Sequence, residues 1–465
     1  MTSTRLERDP LGTKRIPAYA YYGIQTARAV ENFPISGLRL PEEMVRAYGF
    51  IKKAAAVTNT RLGLLNRRHA HAIGQACDEL LRGRFADQCV VDVYQAGAGT
   101  SFNMNINEIL ANRANELLGA RRGTYRFVHP NDHVNMAQST NDTFPTAMRL
   151  ACLMKLPALL AALHELEVSL QRKARQFRRI VKAGRTHLQD AVPVSLGREF
   201  GAYALAMAKA RAHIQRTASL LGELNLGGTA TGTGLNAHPR YRTTAIRLLR
   251  QWTRLPVVPA KDLVERTQSL ADFAHLSSSL RDVSLELIRI ANDLRLMSSG
   301  PHTGLGELEL PAVQPGSSIM PGKVNPVIAE MVDMVAFQVI GHDTTVAMAC
   351  QAGQLELNVM MPVVAYNVLQ AMALLTTTSR VFAGRCIQGI KANAAHCRDV
   401  ATQSLALVTA LAPRIGYLQA AAIAKQSLAS RKSSQELVVE RGLLSAREAS
   451  RLLDPARLAG ISSSV

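Results

Sequence analysis

Apolar residues recur along this chain at helical intervals. Leu276, Leu280, Val283, Leu287, Ile290, Leu294 and Met297 step alternately by four and by three. That spacing predicts one helix with a straight seam about 33 Å long at 1.5 Å per residue. A second seam runs through Leu156, Leu159, Leu163, Leu166 and Leu170 and can be followed to Phe177. Pro157 should kink that helix or start it. A third run, from about Gly197 to Leu224, carries Phe200, Tyr203, Met207, Ile214, Leu221 and Leu224 among many alanines, which favour helix and close packing. Alternation with a period of two is scarce, so the chain is expected to be all-α with at most small strands. Helices with long apolar seams cannot stay solvated alone, and they imply a bundle within one chain or across subunits. The expected architecture is a long central helical bundle with smaller, mainly helical N- and C-terminal domains. Its divisions are expected at 1–140, 141–395 and 396–465.

Composition narrows this picture. Of 465 residues, 47% are hydrophobic and 19% charged, a globular balance that excludes wholesale disorder. Aromatics are 5% and Trp252 is the one tryptophan, so the core must be aliphatic. The net charge of +19 suits an acidic partner, either a small dicarboxylate or a nucleic acid. The charge is spread along the chain, and no aromatic–basic interleaving resembles a single-strand stacking platform. It reads as a solvated basic face that steers anions. The six cysteines form no CxxC pair, which fits a reducing cytosol and argues against zinc or redox motifs. The first residues hold no apolar run, and no stretch of about 18 consecutive apolar residues occurs, so neither a signal peptide nor a membrane span is expected.

The helical pattern breaks at Gln95–Ser101, at His129–Asp142, at Gly184–His187, at Gly227–Gly234 and from Gly300 to Pro326, and these segments are expected to be loops. They gather hydroxyls and amides: Thr100, Ser101, Ser139, Thr140, Asn141, Thr186, Ser317, Ser318 and Asn325. His187 adds an acid/base group and Lys323 a fixed cation. Neutral donors around one lysine make a receptor for carboxylates. Taken singly, each segment has a bland reading. Gln-Ser-Thr-Asn-Asp (138–142) is an ordinary helix N-cap pattern, and a lone histidine is usually structural. The glycines at 227–234 lack the spacing of a dinucleotide loop, and His69-x-His71 lacks a third metal ligand.

Gly316-Ser-Ser-Ile-Met-Pro-Gly-Lys-Val-Asn-Pro326 is more specific, and it resembles the signature of the aspartase/fumarase superfamily. GAGTSFNMNINEILAN (97–112), HPNDHVNMAQSTNDTFPT (129–146), GRTHLQDAVPVSLG (184–197) and GTGLN (232–236) resemble the superfamily's other blocks in the same order. The likeness extends from Tyr21-Tyr-Gly-Ile-Gln-Thr26 to Glu440-Arg-Gly-Leu-Leu444. GAGTS, Gln-Ser-Thr-Asn (138–141), Gly341-His-Asp-Thr-Thr345 and Ala352-Gly-Gln-Leu-Glu-Leu-Asn358 are similar to the ammonia-lyase branch. The other reading is the hydratase branch, class II fumarase, or a related C–N lyase.

The resemblance implies reversible anti elimination on a four-carbon dicarboxylate, giving fumarate through an aci-carboxylate intermediate. Ser317 would be the general base on a mobile glycine-framed loop. Thr100, Ser139, Thr140 and Ser318 would hold the β-carboxylate, with Ser101 beside them. Lys323, Asn325 and Thr186 would hold the α-carboxylate. Asn141 and His187 would lie near the departing ammonia, and Glu330 would orient His187. The resemblance also implies a cytoplasmic homotetramer with sites shared between subunits, so that lesions in different segments could complement in mixed tetramers. No cofactor and no metal are expected, and neither a membrane nor a nucleic acid is an expected partner.

Overall fold

The structure, a computed structural model, describes residues 3–430 and 432–461. Helix accounts for 63% of the described residues. The strands among the described residues form four two-stranded sheets, none with a strand longer than seven residues. The all-α expectation therefore holds. Along the chain come strands β1 (Thr4–Asp9) and β2 (Gly12–Pro17), then helices α1 (Ile24–Asn32), α2 (Glu42–Arg61), α3 (Arg67–Leu81), α4 (Thr100–Leu117) and α5 (Thr140–Gln176). A hairpin of β3 (Val181–Thr186) and β4 (Gln189–Ser195) leads into α6 (Leu196–Ser219). There follow α7 (Tyr241–Thr253), α8 (Leu263–Gln268), α9 (Ala271–Met297), α10 (Val327–Gln351) and α11 (Met361–Arg385).

The seams sit where the periodicity puts them. From Leu276 to Met297 every seam residue of α9 is buried, and in α5 so are Leu159, Leu163, Leu166, Leu170 and the following Phe177. Pro157 lies well inside α5, which begins at Thr140. A proline there removes one backbone hydrogen bond at a cost of about 3 kcal/mol, which the buried leucines on either side offset. The third run is helical only to Ser219. It then tightens into a 3-10 turn and a two-residue strand. By length and composition alone α5 could cross a bilayer, but 61% of its most apolar window is buried inside the protein and Arg149 within it is fully enclosed.

The chain divides into two compact units. The first comprises 1–160, 212–282 and 337–375, and the second 161–211, 283–336 and 376–465. The five long helices, α5, α6, α9, α10 and α11, each contribute residues to both.

In the first unit α2 packs on α3 and α7, while α4 packs on α1 and α3. Tyr48, Phe102 and Phe144 meet edge to face with ring centroids 5.4–6.4 Å apart. Gly99, at φ +87°, turns the chain into α4. A Cβ there would fall inside the Phe144 ring, so glycine alone lets the start of α4 approach α5 this closely. The buried Glu108 of α4 serves the N–H donors at the start of α1 that have no partner within the helix. Its carboxylate accepts from the N–H groups of Gly23 (2.8 Å), Gln25 (2.9 Å) and Thr26 (3.1 Å) and from the Thr26 hydroxyl (2.6 Å). Burial pushes this carboxyl up to about 7, while the converging donors pull it back. Glu108→Gln must turn an amide N–H2 toward one of those donors. We expect a stability loss of about 1–3 kcal/mol, read as a lower urea midpoint. An unchanged midpoint would remove Glu108 as the cap of α1.

In the second unit β3 and β4 pair with Thr186 opposite Gln189. The two residues between them, His187 and Leu188, have φ of +57° and +60°, as a tight hairpin turn requires. The segment Gly184–His187, expected to be a loop, is thus the arm and tip of a hairpin. Residues 181–183 are buried on both faces, so no alternation marks the strand. The fully buried Glu307 anchors this hairpin. It accepts from Arg185 at 2.7 Å, and its other oxygen lies 3.2 Å from the Lys182 ammonium, off any hydrogen-bond line. Near the chain's end Leu407, Leu411, Ile423, Leu437, Val438 and Leu453 form a separate small core. Ser433 with Glu436 and Ser445 with Glu448 form capping boxes on its short helices.

Candidate active site

Five of the predicted residues lie in the first unit, at the N-termini of α4 and α5. Thr100 and Ser101 open α4 directly after the Gly97–Gly99 turn, with Thr100 exposed and Ser101 buried. Ser139 caps α5. Its hydroxyl accepts from the Asn141 N–H at 3.2 Å, and its own N–H donates to Asp142 Oδ1 at 3.0 Å. Thr140 follows, and its hydroxyl accepts from Asn103 Nδ2 at 3.1 Å. That bond and the Gly99–Phe144 contact bring the two helix starts side by side. Asn141 donates its side-chain N–H to the Ala230 carbonyl at 2.8 Å, so part of its donor capacity is spent on the glycine-rich loop at 227–234.

Two buried charges beneath this cluster escaped the sequence reading. Asp142 Oδ2 accepts from the N–H groups of Gly227 (2.9 Å) and Thr229 (3.1 Å), pinning that loop to the start of α5. Burial raises its carboxyl to about 7 against those hydrogen bonds. Lys52 of α2, fully enclosed, donates to Asn103 Oδ1 (2.8 Å), Asn135 Oδ1 (3.0 Å) and Gln138 Oε1 (3.0 Å). Burial lowers its ammonium to about 7. A signal was present: Lys52 stands four residues after Tyr48 and four before Ala56, on the buried stripe of α2 where a lysine needs partners.

The other predicted residues belong to the second unit. Ser317, Ser318, Lys323 and Asn325 share one loop between α9 and α10. The Ser317 hydroxyl accepts from the backbone N–H groups of Ile319 (3.2 Å) and Met320 (2.9 Å). Donors aimed at that oxygen favour its alkoxide. Lys323 and Ser318 are exposed, and Ser317 and Lys323 both line a concavity of about 460 Å³ within the loop. Asn325 turns inward and donates its amide to the Gly316 carbonyl, closing the loop's neck. A Cβ on Gly316 would collide with the Lys323 carbonyl, so the two ends cross there because residue 316 is glycine. Thr186 and His187 are exposed at the hairpin tip, and Glu330 lies in the first turn of α10. No hydrogen bond or ion pair joins His187 to Glu330 among the described residues of this chain. Nor is any group of three or more His, Cys, Asp or Glu among the described residues placed to hold a metal ion.

Comparison with known proteins assigns the family. Residues 12–341 match the lyase family, and residues 407–460 match the fumarase C C-terminus, which coincides with the small separate core. The chain belongs to the aspartase/fumarase superfamily of lyases. It is 50% identical over 445 residues to an aspartate ammonia-lyase of Pseudomonas fluorescens, covering 95% of this chain and 93% of that one. Among solved structures it is similar to a fumarate lyase:delta crystallin from Brucella melitensis crystallised with cobalt. That protein is 50% identical with a TM-score of 0.96, over 98% of this chain and all of the other. It is also similar to a class II fumarase from Schistosoma mansoni, 37% identical with a TM-score of 0.95, over 98% of this chain and 99% of that one.

Proposed function

We propose that this protein is an aspartate ammonia-lyase, eliminating ammonia reversibly from L-aspartate to give fumarate. The observation that carries the chemistry is Ser317, a hydroxyl on a glycine-framed loop with two backbone N–H groups aimed at its oxygen. The name shared by relatives near 50% identity selects the substrate.

In this reading Ser317, as the alkoxide, takes the Cβ proton. The electron pair spreads into the adjacent carboxylate, and that end becomes a dianion. Thr100, Ser139, Thr140 and Ser318, with Ser101 beside them, donate to it. Each such donor in a dry site is worth about 2.7–4 kcal/mol in comparable oxyanion holes. The pair then returns to form the C=C bond as the C–N bond breaks and ammonia leaves past Asn141 and His187. Lys323, Thr186 and the remaining N–H of Asn325 hold the α-carboxylate. Glu330 orients His187, in a cytoplasmic homotetramer with active sites shared between subunits.

A second reading, hydration of fumarate to malate, is supported by the likeness to the Schistosoma mansoni fumarase. The two are separated by incubating the purified protein with L-aspartate or with L-malate and following fumarate by its ultraviolet absorbance. Production from aspartate is expected. Production from malate with none from aspartate would replace the ammonia-lyase by the hydratase or a related lyase.

A further inference from the structure

We propose that Lys52 is a positioning residue for the carboxylate-binding hydroxyl of Thr140, acting through the side-chain amide of Asn103. The inference rests on the reading that Thr140 donates to the substrate's β-carboxylate. It adds what makes Thr140 a donor.

The argument begins with what an ammonium can do. It has three N–H groups and no lone pair, so every polar atom facing it must accept. Lys52 is fully buried, and its three contacts are to the amide oxygens of Asn103, Asn135 and Gln138. For Asn103 this settles which end of the amide points where. The oxygen is held on the lysine at 2.8 Å, so the Nδ2 group must face the other way, where it donates to Thr140 Oγ1 at 3.1 Å and, more weakly, to Asn135 Oδ1 at 3.3 Å. A hydroxyl that accepts there keeps its own proton for another partner. Among the described residues no acceptor is placed for it.

The reverse orientation would be harmful. A flipped Asn103 would present its carbonyl to Thr140, the Thr140 proton would turn inward, and an approaching carboxylate would meet lone pairs instead of O–H. Neutral alternatives at position 52 would leave the amide free to flip. The ammonium fixes it without touching the substrate, and as a buried cation it also favours negative charge two residues away along this relay. Asn135 and Gln138 occupy the other two N–H groups, which prevents the lysine from swinging toward Thr140 itself.

The test uses the full-length protein and succinate, an unreactive dicarboxylate, as the binding probe. Asn103→Asp keeps an acceptor for Lys52 but removes the donor to Thr140, together with the longer bond to Asn135 Oδ1, whose oxygen keeps its bond from Lys52. We expect the fold and its thermal midpoint to be retained, succinate to bind at least about tenfold more weakly, and aspartate turnover to fall in parallel. Thr140→Val should give a similar loss, and the Asn103→Asp/Thr140→Val double variant should be little worse than either single one, since both act on the same bond. Lys52→Met should show the same loss and the same non-additivity. If it fails to fold, the Asn103 pair carries the test. Succinate binding by Asn103→Asp within twofold of wild type, or losses that multiply in the double variant, would overturn the proposal. Wild-type protein that binds succinate but does not turn over aspartate would defeat the proposed reaction and leave this coupling measurable. Failure to bind succinate at all would defeat both.

Discussion

Replacing Ser317 by alanine should lower aspartate turnover by about a thousandfold or more, within the range seen on removing a positioned acid or base, while succinate binding stays within a few-fold of wild type. The split follows from the geometry. In the proposed site the hydroxyl contributes little to holding a dicarboxylate, which would have Lys323 and several neutral donors. For proton removal nothing else on the loop can replace it: among the described residues from Gly316 to Asn325, only Ser317, Ser318 and Lys323 carry a group able to exchange a proton. A free serine is a feeble base. The N–H groups of Ile319 and Met320 change that, because they reach its oxygen and stabilise the negative form more than the neutral one. Exclusion of water on loop closure would strengthen both bonds. Turnover within tenfold of wild type would remove Ser317 as the base and shift attention to Ser318 or His187.

Lys323→Ala should act on the other half of the problem. It removes a cation from the proposed carboxylate site, and a hydrogen bond to a charged group is worth about 1.5–3 kcal/mol, so the Michaelis constant for aspartate should rise roughly 10- to 150-fold. The effect on kcat should be the smaller one, because the α-carboxylate carries its charge in both ground and transition states. Lys323→Arg keeps the charge on a bulkier, forked head and should restore part of the affinity. A Michaelis constant unchanged in the alanine variant would show that Lys323 does not meet the substrate, whatever its place in the loop.

The sequence made the scaffold plain where one physical requirement dominated. The four-three stepping from Leu276 to Met297 can be satisfied only by a helix with one dry side, and α9 buries each of those residues. The same stepping located the lower part of α5. It could not find the helix's start, because residues 142–153 are buried all round, with the polar Asp142, Thr143, Thr146 and Arg149 among them, so no apolar stripe marks that part. The hairpin at 181–195 was hidden for a similar reason: both faces of its first strand are covered. The candidate site residues stood out as chemistry, since hydroxyls, amides and one lysine crowd where the helical pattern breaks. What supports them was not. Lys52, Asp142, Glu108 and Glu307 are charges inside the protein, and composition counts them with the solvated ones. Only their neighbours far along the chain reveal that each is held by converging amides, N–H groups or opposite charges.

The tie between Asn325 and the Gly316 carbonyl has a consequence for timing. If the loop closes over a substrate, lacing at its base would make it pivot as a single flap, with Ser317 and Lys323 riding together. On the proposed reading, the ammonium that meets one carboxylate then cannot arrive without the hydroxyl that takes the Cβ proton. On the same reading, a molecule bearing one carboxylate too few would give such a flap little reason to stay down, and an alkoxide formed at Ser317 would face solvent and be quenched.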